Sequence, residues 1–204
     1  MNFNKELYEK TEGKEFGEFE ALQLGGHELI IKDAREYTSE FSGNTSLKVC
    51  VDVAGTDTQK DFFKKQYEEA LKNKKDGEEI KWPNGATKYV SLKDEQIAYL
   101  KGFITAVEKS NTGFKFDKNG TWDQLKDKKV AGVFGWEEYT KEDGTIGVAT
   151  KLLQFRSLEK LGEIKVPDVK TLDGAYIPYE EYKTTNGKKK DDSFIEISDE
   201  DLPF

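Results

Sequence analysis

Leu47, Val49, Val51 and Val53 alternate with Lys48, Cys50 and Asp52. Successive side chains of a strand point to opposite faces, so this stretch has one apolar face and one polar face. A chain carrying it must pair the strand into a sheet and cover one side of that sheet. Residues 27–37, His27-Glu28-Leu29-Ile30-Ile31-Lys32-Asp33-Ala34-Arg35-Glu36-Tyr37, read as a second strand, β-branched in the middle and charged toward its end. Phe41-Ser42-Gly43-Asn44 lies between the two and has turn chemistry. The pattern predicts an antiparallel hairpin with one buried face.

A second hairpin is predicted further on. Residues 130–139 form one arm and residues 145–157 the other, with Asp143-Gly144 as the turn signal. Glycines in both arms point to bulges or tight coiling. Between the hairpins the period changes. Phe63, Tyr67, Ala70 and Leu71 fall at helical spacing, as do Ile97, Leu100, Ile104 and Val107, with Ser91 as the expected N-cap of the second helix. Residues 56–127 are therefore expected to be a largely helical insertion. The fold class is α+β, mainly β. An OB-like small Greek-key barrel fits the order of elements, and an α+β sandwich is its competitor. Residues 1–167 form the expected body, 168–190 a linker without periodicity, and 191–204 a flexible acidic tail.

Charge divides the chain in the same place. Residues 191–204 hold Asp191, Asp192, Glu196, Asp199, Glu200 and Asp201 and no base. Six of the 40 acids and none of the 32 bases lie there, so the remainder is near neutral, at −2 of the total −8. A near-neutral body can still gather its cations on one face.

Enzyme chemistry finds little support in the residues. Cys50 is the only cysteine and His27 the only histidine, so no disulfide and no zinc site of usual composition can form within one chain. Phosphate-loop, dinucleotide and nucleophile-elbow motifs are missing. Glu137 and Glu138 are adjacent on a strand and so point apart. No catalytic residue, metal or cofactor is expected. The N-terminus lacks a signal-peptide pattern and no apolar run approaches a membrane span, which predicts a soluble, cytoplasmic protein with no membrane partner.

Two arginines stand against 30 lysines, and both lie late in predicted strands beside aromatics: Arg35 near Tyr37, Arg156 beside Phe155. Guanidinium planes hold phosphates and stack on bases. Binding of single-stranded nucleic acid needs cations along the backbone and aromatic faces for bases. Arg35, Tyr37, Lys48, Trp136, Tyr139, Lys151, Phe155 and Arg156 are the candidate DNA-binding set. The competing view is that these aromatics are core and these cations ordinary surface charges.

The tail ends Asp199-Glu200-Asp201-Leu202-Pro203-Phe204. A solvated acidic segment can dock on a basic groove, with Phe204 as its anchor and Pro203 limiting the entropy lost. This tip closely resembles the terminal motif of bacterial and phage single-stranded DNA-binding proteins: acids, an aliphatic residue, then Pro-Phe. Val133-Phe134-Gly135-Trp136-Glu137-Glu138-Tyr139, Asp143-Gly144, Phe155-Arg156-Ser157 and Val166-Pro167 also look like small phage proteins of that kind from Gram-positive hosts. The resemblance implies an OB-fold body that coats single-stranded DNA with little sequence preference during phage replication or recombination. It also implies recruitment of replication, recombination and repair proteins through Asp199, Glu200, Asp201, Leu202, Pro203 and Phe204, in the host cytoplasm. The long insertion and the lack of a Gly/Gln-rich linker depart from the bacterial pattern. A tetramer is therefore not assumed, and a homo-oligomer such as a dimer is left open. The alternative function is an adaptor or decoy that captures host proteins through the tip without binding DNA. An acidic DNA mimic is a weaker third reading.

Overall fold

The structure is a computed structural model that describes residues 21–191. It is an α+β fold dominated by an open seven-stranded sheet. Strand β1 (Gly25–Thr38) pairs antiparallel with β2 (Thr45–Val53), and β2 pairs with β3 (Thr87–Ser91). The other side of β1 pairs with β4 (Lys129–Thr140), which pairs with β5 (Ile146–Arg156). Two short strands, β6 (Val169–Lys170) and β7 (Tyr176–Ile177), extend the sheet from β4. Helix α1 (Phe62–Lys72) lies between β2 and β3, and α2 (Ile97–Ser110) between β3 and β4. Helix α3 (Tyr179–Asp191) follows β7.

Both expected hairpins form, and the alternation in β2 is realised: Leu47, Val49, Val51 and Val53 are fully buried. They meet Leu29, Ile31, Val130 and Phe134 in one core. A bulge between Ile31 and Asp33 changes the parity of β1. Before it Leu29 and Ile31 point inward; after it Ala34 does. The extra residue sends Asp33, Arg35 and Tyr37 to the outer face, opposite Cys50, Lys48 and Ser46. Gly132 sits where β4 crosses β1. A Cβ there would lie 2.3 Å from Leu29 Cδ1 and 2.9 Å from Leu152 Cδ1, so no side chain fits.

Asp52 is the exception among the buried apolar residues of β2, at 1% exposure. Its Oδ1 accepts the Val53, Phe63 and Lys64 N–H groups at 2.9, 3.0 and 3.3 Å. Two of those donors belong to the first turn of α1, whose own flanking residue Asp61 is left-handed and makes no side-chain cap. Asp52 therefore caps the helix from the neighbouring strand and sets where Phe62 and Phe63 enter the core. Burial pushes its carboxyl above the usual range, against the pull of the three N–H donors.

Helix α2 buries Phe103, Ala106 and Val107 and starts five residues later than expected. Ser91 ends β3 instead of capping the helix, and its hydroxyl accepts the Lys93 N–H at 3.3 Å. At the other end, Asn111 donates Nδ2 to the Val107 and Lys129 carbonyls and accepts the Lys129 N–H. That side chain ties the end of α2 to the start of β4.

Three further expectations change. The insertion at 56–127, expected to be largely helical, also holds β3, the edge strand beside β2. Residues 168–190, expected as a linker, carry β6, β7 and most of α3. Val169 is fully buried and Tyr182 is 6% exposed, so this segment packs on the sheet despite its polar composition. The expected barrel is also not closed among the described residues, since no ladder joins β3 to β5.

Candidate nucleic-acid interface

The register across β1, β2 and β3 aligns Arg35 with Lys48 and Lys48 with Tyr89. Residues directly opposite on adjacent strands share a face. The row is therefore a guanidinium, an ammonium and a phenol on the outer side of the sheet. Tyr37 flanks it one pair along, opposite Ser46, which pairs with Ser91. The Tyr37 and Tyr89 ring centroids are 5.4 Å apart, and the Lys48 ammonium lies 5.9 Å from the Tyr37 ring. Both tyrosines remain open, at 42% and 45% exposure. Arg35 is also exposed and pairs with Asp33 of its own strand at 3.3 Å. Phe41 stands fully exposed in the β1–β2 turn.

Three of the eight candidate residues, Arg35, Tyr37 and Lys48, thus come together on one face. Tyr89 joins them and was missed. Thr87-Lys88-Tyr89-Val90-Ser91 has the β-branched and aromatic content of a strand, directly after the Pro83–Gly85 turn, and that was the available signal.

The other five are divided. Phe155 and Arg156 border a groove between β3, α2 and β5. Phe155 packs on Phe103 with ring centroids 4.6 Å apart, while Arg156 is exposed and donates Nη2 to Gln154 Oε1. Trp136 has been covered. Tyr179 and Tyr182 of α3 pack edge-on against it at 5.2 and 6.3 Å. Glu138 fixes that contact by accepting the Tyr182 hydroxyl at 2.7 Å and the Leu172 N–H at 3.0 Å. Burial, and then the Glu138 carboxylate, push the Tyr182 phenol up to about 12. Tyr139 lies over Gly147 in the β4–β5 hairpin, and Lys151 stands opposite Gly135.

His27 is buried against Phe134. Its Nε2 donates to the Gln23 carbonyl at 2.9 Å, and Nδ1 faces the Asp57 carboxylate at 3.2 Å. Asp57 also accepts the Glu28 and Gln59 N–H groups. Burial raises the Asp57 carboxyl, but these donors and His27 outweigh it and hold it below the usual range. These contacts tie the start of β1 to the loop after β2. Among the described residues no group of three or more His, Cys, Asp or Glu is placed to hold a metal ion, and no helix is long and apolar enough to cross a membrane. The tip residues Asp199, Glu200, Asp201, Leu202, Pro203 and Phe204 lie outside the described residues.

Comparison with known proteins finds no family model that matches this chain and no curated protein that resembles it significantly.

Proposed function

We propose that this chain is a single-stranded DNA-binding protein of phage type. It coats DNA with little sequence preference during replication or recombination and recruits partner proteins through its acidic tip. The observation that carries this reading is the outer face of β1–β3. Two open tyrosines lie 5.4 Å apart with Lys48 beside them and Arg35 in the same row. Bases stack on tyrosine without regard to sequence, and the two cations meet phosphates. Strand order lends support: a β1–β2–β3 meander, a helix before β4, and β4 returning to β1 match an OB-like barrel left open between β3 and β5.

The test is a fluorescence titration with oligo-dT across a range of salt. Affinity should fall steeply with salt and exceed that for duplex of equal length. No binding at low salt would refute the proposal. A chain shortened to residue 198 should keep its DNA affinity and lose capture of partner proteins. Loss of DNA binding on truncation would show that the tip does not act separately from the body.

A further inference from the structure

A groove of about 1120 Å³ opens between β3, α2 and β5. Lys88, Lys109, Arg156, Lys160 and Lys170 border it, and among the described residues no Asp or Glu does. In a chain of net charge −8, five cations around one groove with no described acid on its walls is a pronounced local excess. Lys109 is paired with Glu159 at 3.2 Å, and Lys170 weakly with Glu137 at 3.9 Å. Lys88, Arg156 and Lys160 have no described carboxylate within ion-pair distance. Burial lowers the Lys88 ammonium's pKa; Glu137 opposes this and Lys170 adds to it. An anion entering beside Lys88 would relieve both costs. On the α2 wall Gly102 faces open space, which leaves the groove unobstructed there.

The groove and the stacking face share one residue, Tyr89. Tyr89 borders the groove, and its ring packs against Tyr37 on the outer side of β3. A linear polyanion lying on Tyr37 and Tyr89 has a cationic channel directly ahead of it around the edge of β3.

Resting on the single-stranded DNA reading above, we propose that the β3–α2–β5 groove carries the sugar-phosphate backbone of the same strand beyond Tyr89. The sheet face then sets the minimal site, and the groove lengthens it. Lys88, Lys160, Lys170 and Arg156 act there on phosphate charge, with no base readout.

The experiment compares oligo-dT of about 5 and about 16 nucleotides, near the ends of the range for one such domain. The proteins are the natural chain and a Lys88→Gln, Lys160→Gln, Lys170→Gln variant. Three lost phosphate contacts should flatten the salt slope for the long oligonucleotide by about 2 and weaken it on the order of 50-fold at about 0.15 M salt. The short oligonucleotide should be unaffected. If the long oligonucleotide is unmoved while the natural chain binds both, the groove holds no DNA, and an acidic peptide becomes its better occupant. Equal losses for both lengths would also overturn the extension, since the groove would then belong to the minimal site. If the natural chain binds neither, the DNA reading itself fails and this inference with it. Should the triple variant lose its thermal transition, Lys160→Gln alone, at an exposed position, should weaken the long oligonucleotide about 4-fold. No change there would overturn the proposal in the same way.

Discussion

Two aromatic clusters on this sheet use the same residue types and end differently. On β1–β3, Tyr37 and Tyr89 touch each other and stay open. On β4, Trp136 is covered by Tyr179 and Tyr182, and Glu138 below it is used up by a tyrosine hydroxyl and a backbone N–H. The difference is set by chain connectivity. The segment after β5 returns as β6, β7 and α3 and has two tyrosines to place, whereas no described element covers β1–β3 at Tyr37 and Tyr89. An aromatic beside a cation on a strand is therefore not enough to mark a ligand face. What decides is whether a later segment of the chain lies over it, as α3 lies over Trp136.

The sharpest way to break this contrast is Trp136→Ala. It should cost about 3 kcal/mol of stability through lost packing, or about 6–12 °C in thermal midpoint, with oligo-dT affinity unchanged below the transition. Weakened binding with an unmoved midpoint would place Trp136 in the interface. Tyr37→Ala and Tyr89→Ala should do the reverse, each costing about 1–3 kcal/mol of DNA affinity with little change in melting. Equal effects on melting and binding would erase the distinction.

Asp52 tests the frame beneath the open face. Asp52→Ala strips two N–H groups at the start of α1 of their acceptor and should cost about 1–2 kcal/mol in chemical denaturation. Asp52→Asn keeps an acceptor and should cost less. Because burial raises the Asp52 carboxyl in the folded state, its favourable contribution is full below the unfolded value near about 4. That contribution is lost as pH rises through the folded value, so Asp52→Asn should flatten the stability profile over that window.

The last test removes a single hydrogen bond from the covered cluster. Tyr182→Phe removes one hydrogen bond to a carboxylate and should cost about 1.5 kcal/mol. The neutral phenol supports the fold below about pH 10 and loses that role as pH climbs toward about 12. Ultraviolet titration should show a tyrosine ionising near about 12, and that step should vanish in Tyr182→Phe.

The hairpins were legible because β2 alternates cleanly and Asp143-Gly144 marks a turn. β3 was not, because it is only five residues long and its last residue, Ser91, has the chemistry of a helix cap. Tyr89 was lost with it. The parity of β1 was legible only in part. Nothing local marks Lys32 as the bulge that turns Arg35 and Tyr37 outward, since register is fixed by the partner strand. The segment 168–185 carried no period to read, because it packs through isolated contacts such as Val169 and Tyr182.

The crossing at Gly132 bears on how the protein reaches this state. The β1–β2 hairpin closes a short loop, whereas Leu29 must find Val130 from half the chain away. Loop-closure entropy makes the local pair the earlier event and the distant one the later. Until β4 arrives, the first strand has an unpaired edge and a bare apolar side, the form in which sheets associate with the wrong neighbours. A slow step in refolding, sensitive to protein concentration and to any side chain placed at Gly132, is the expected mark of that late meeting.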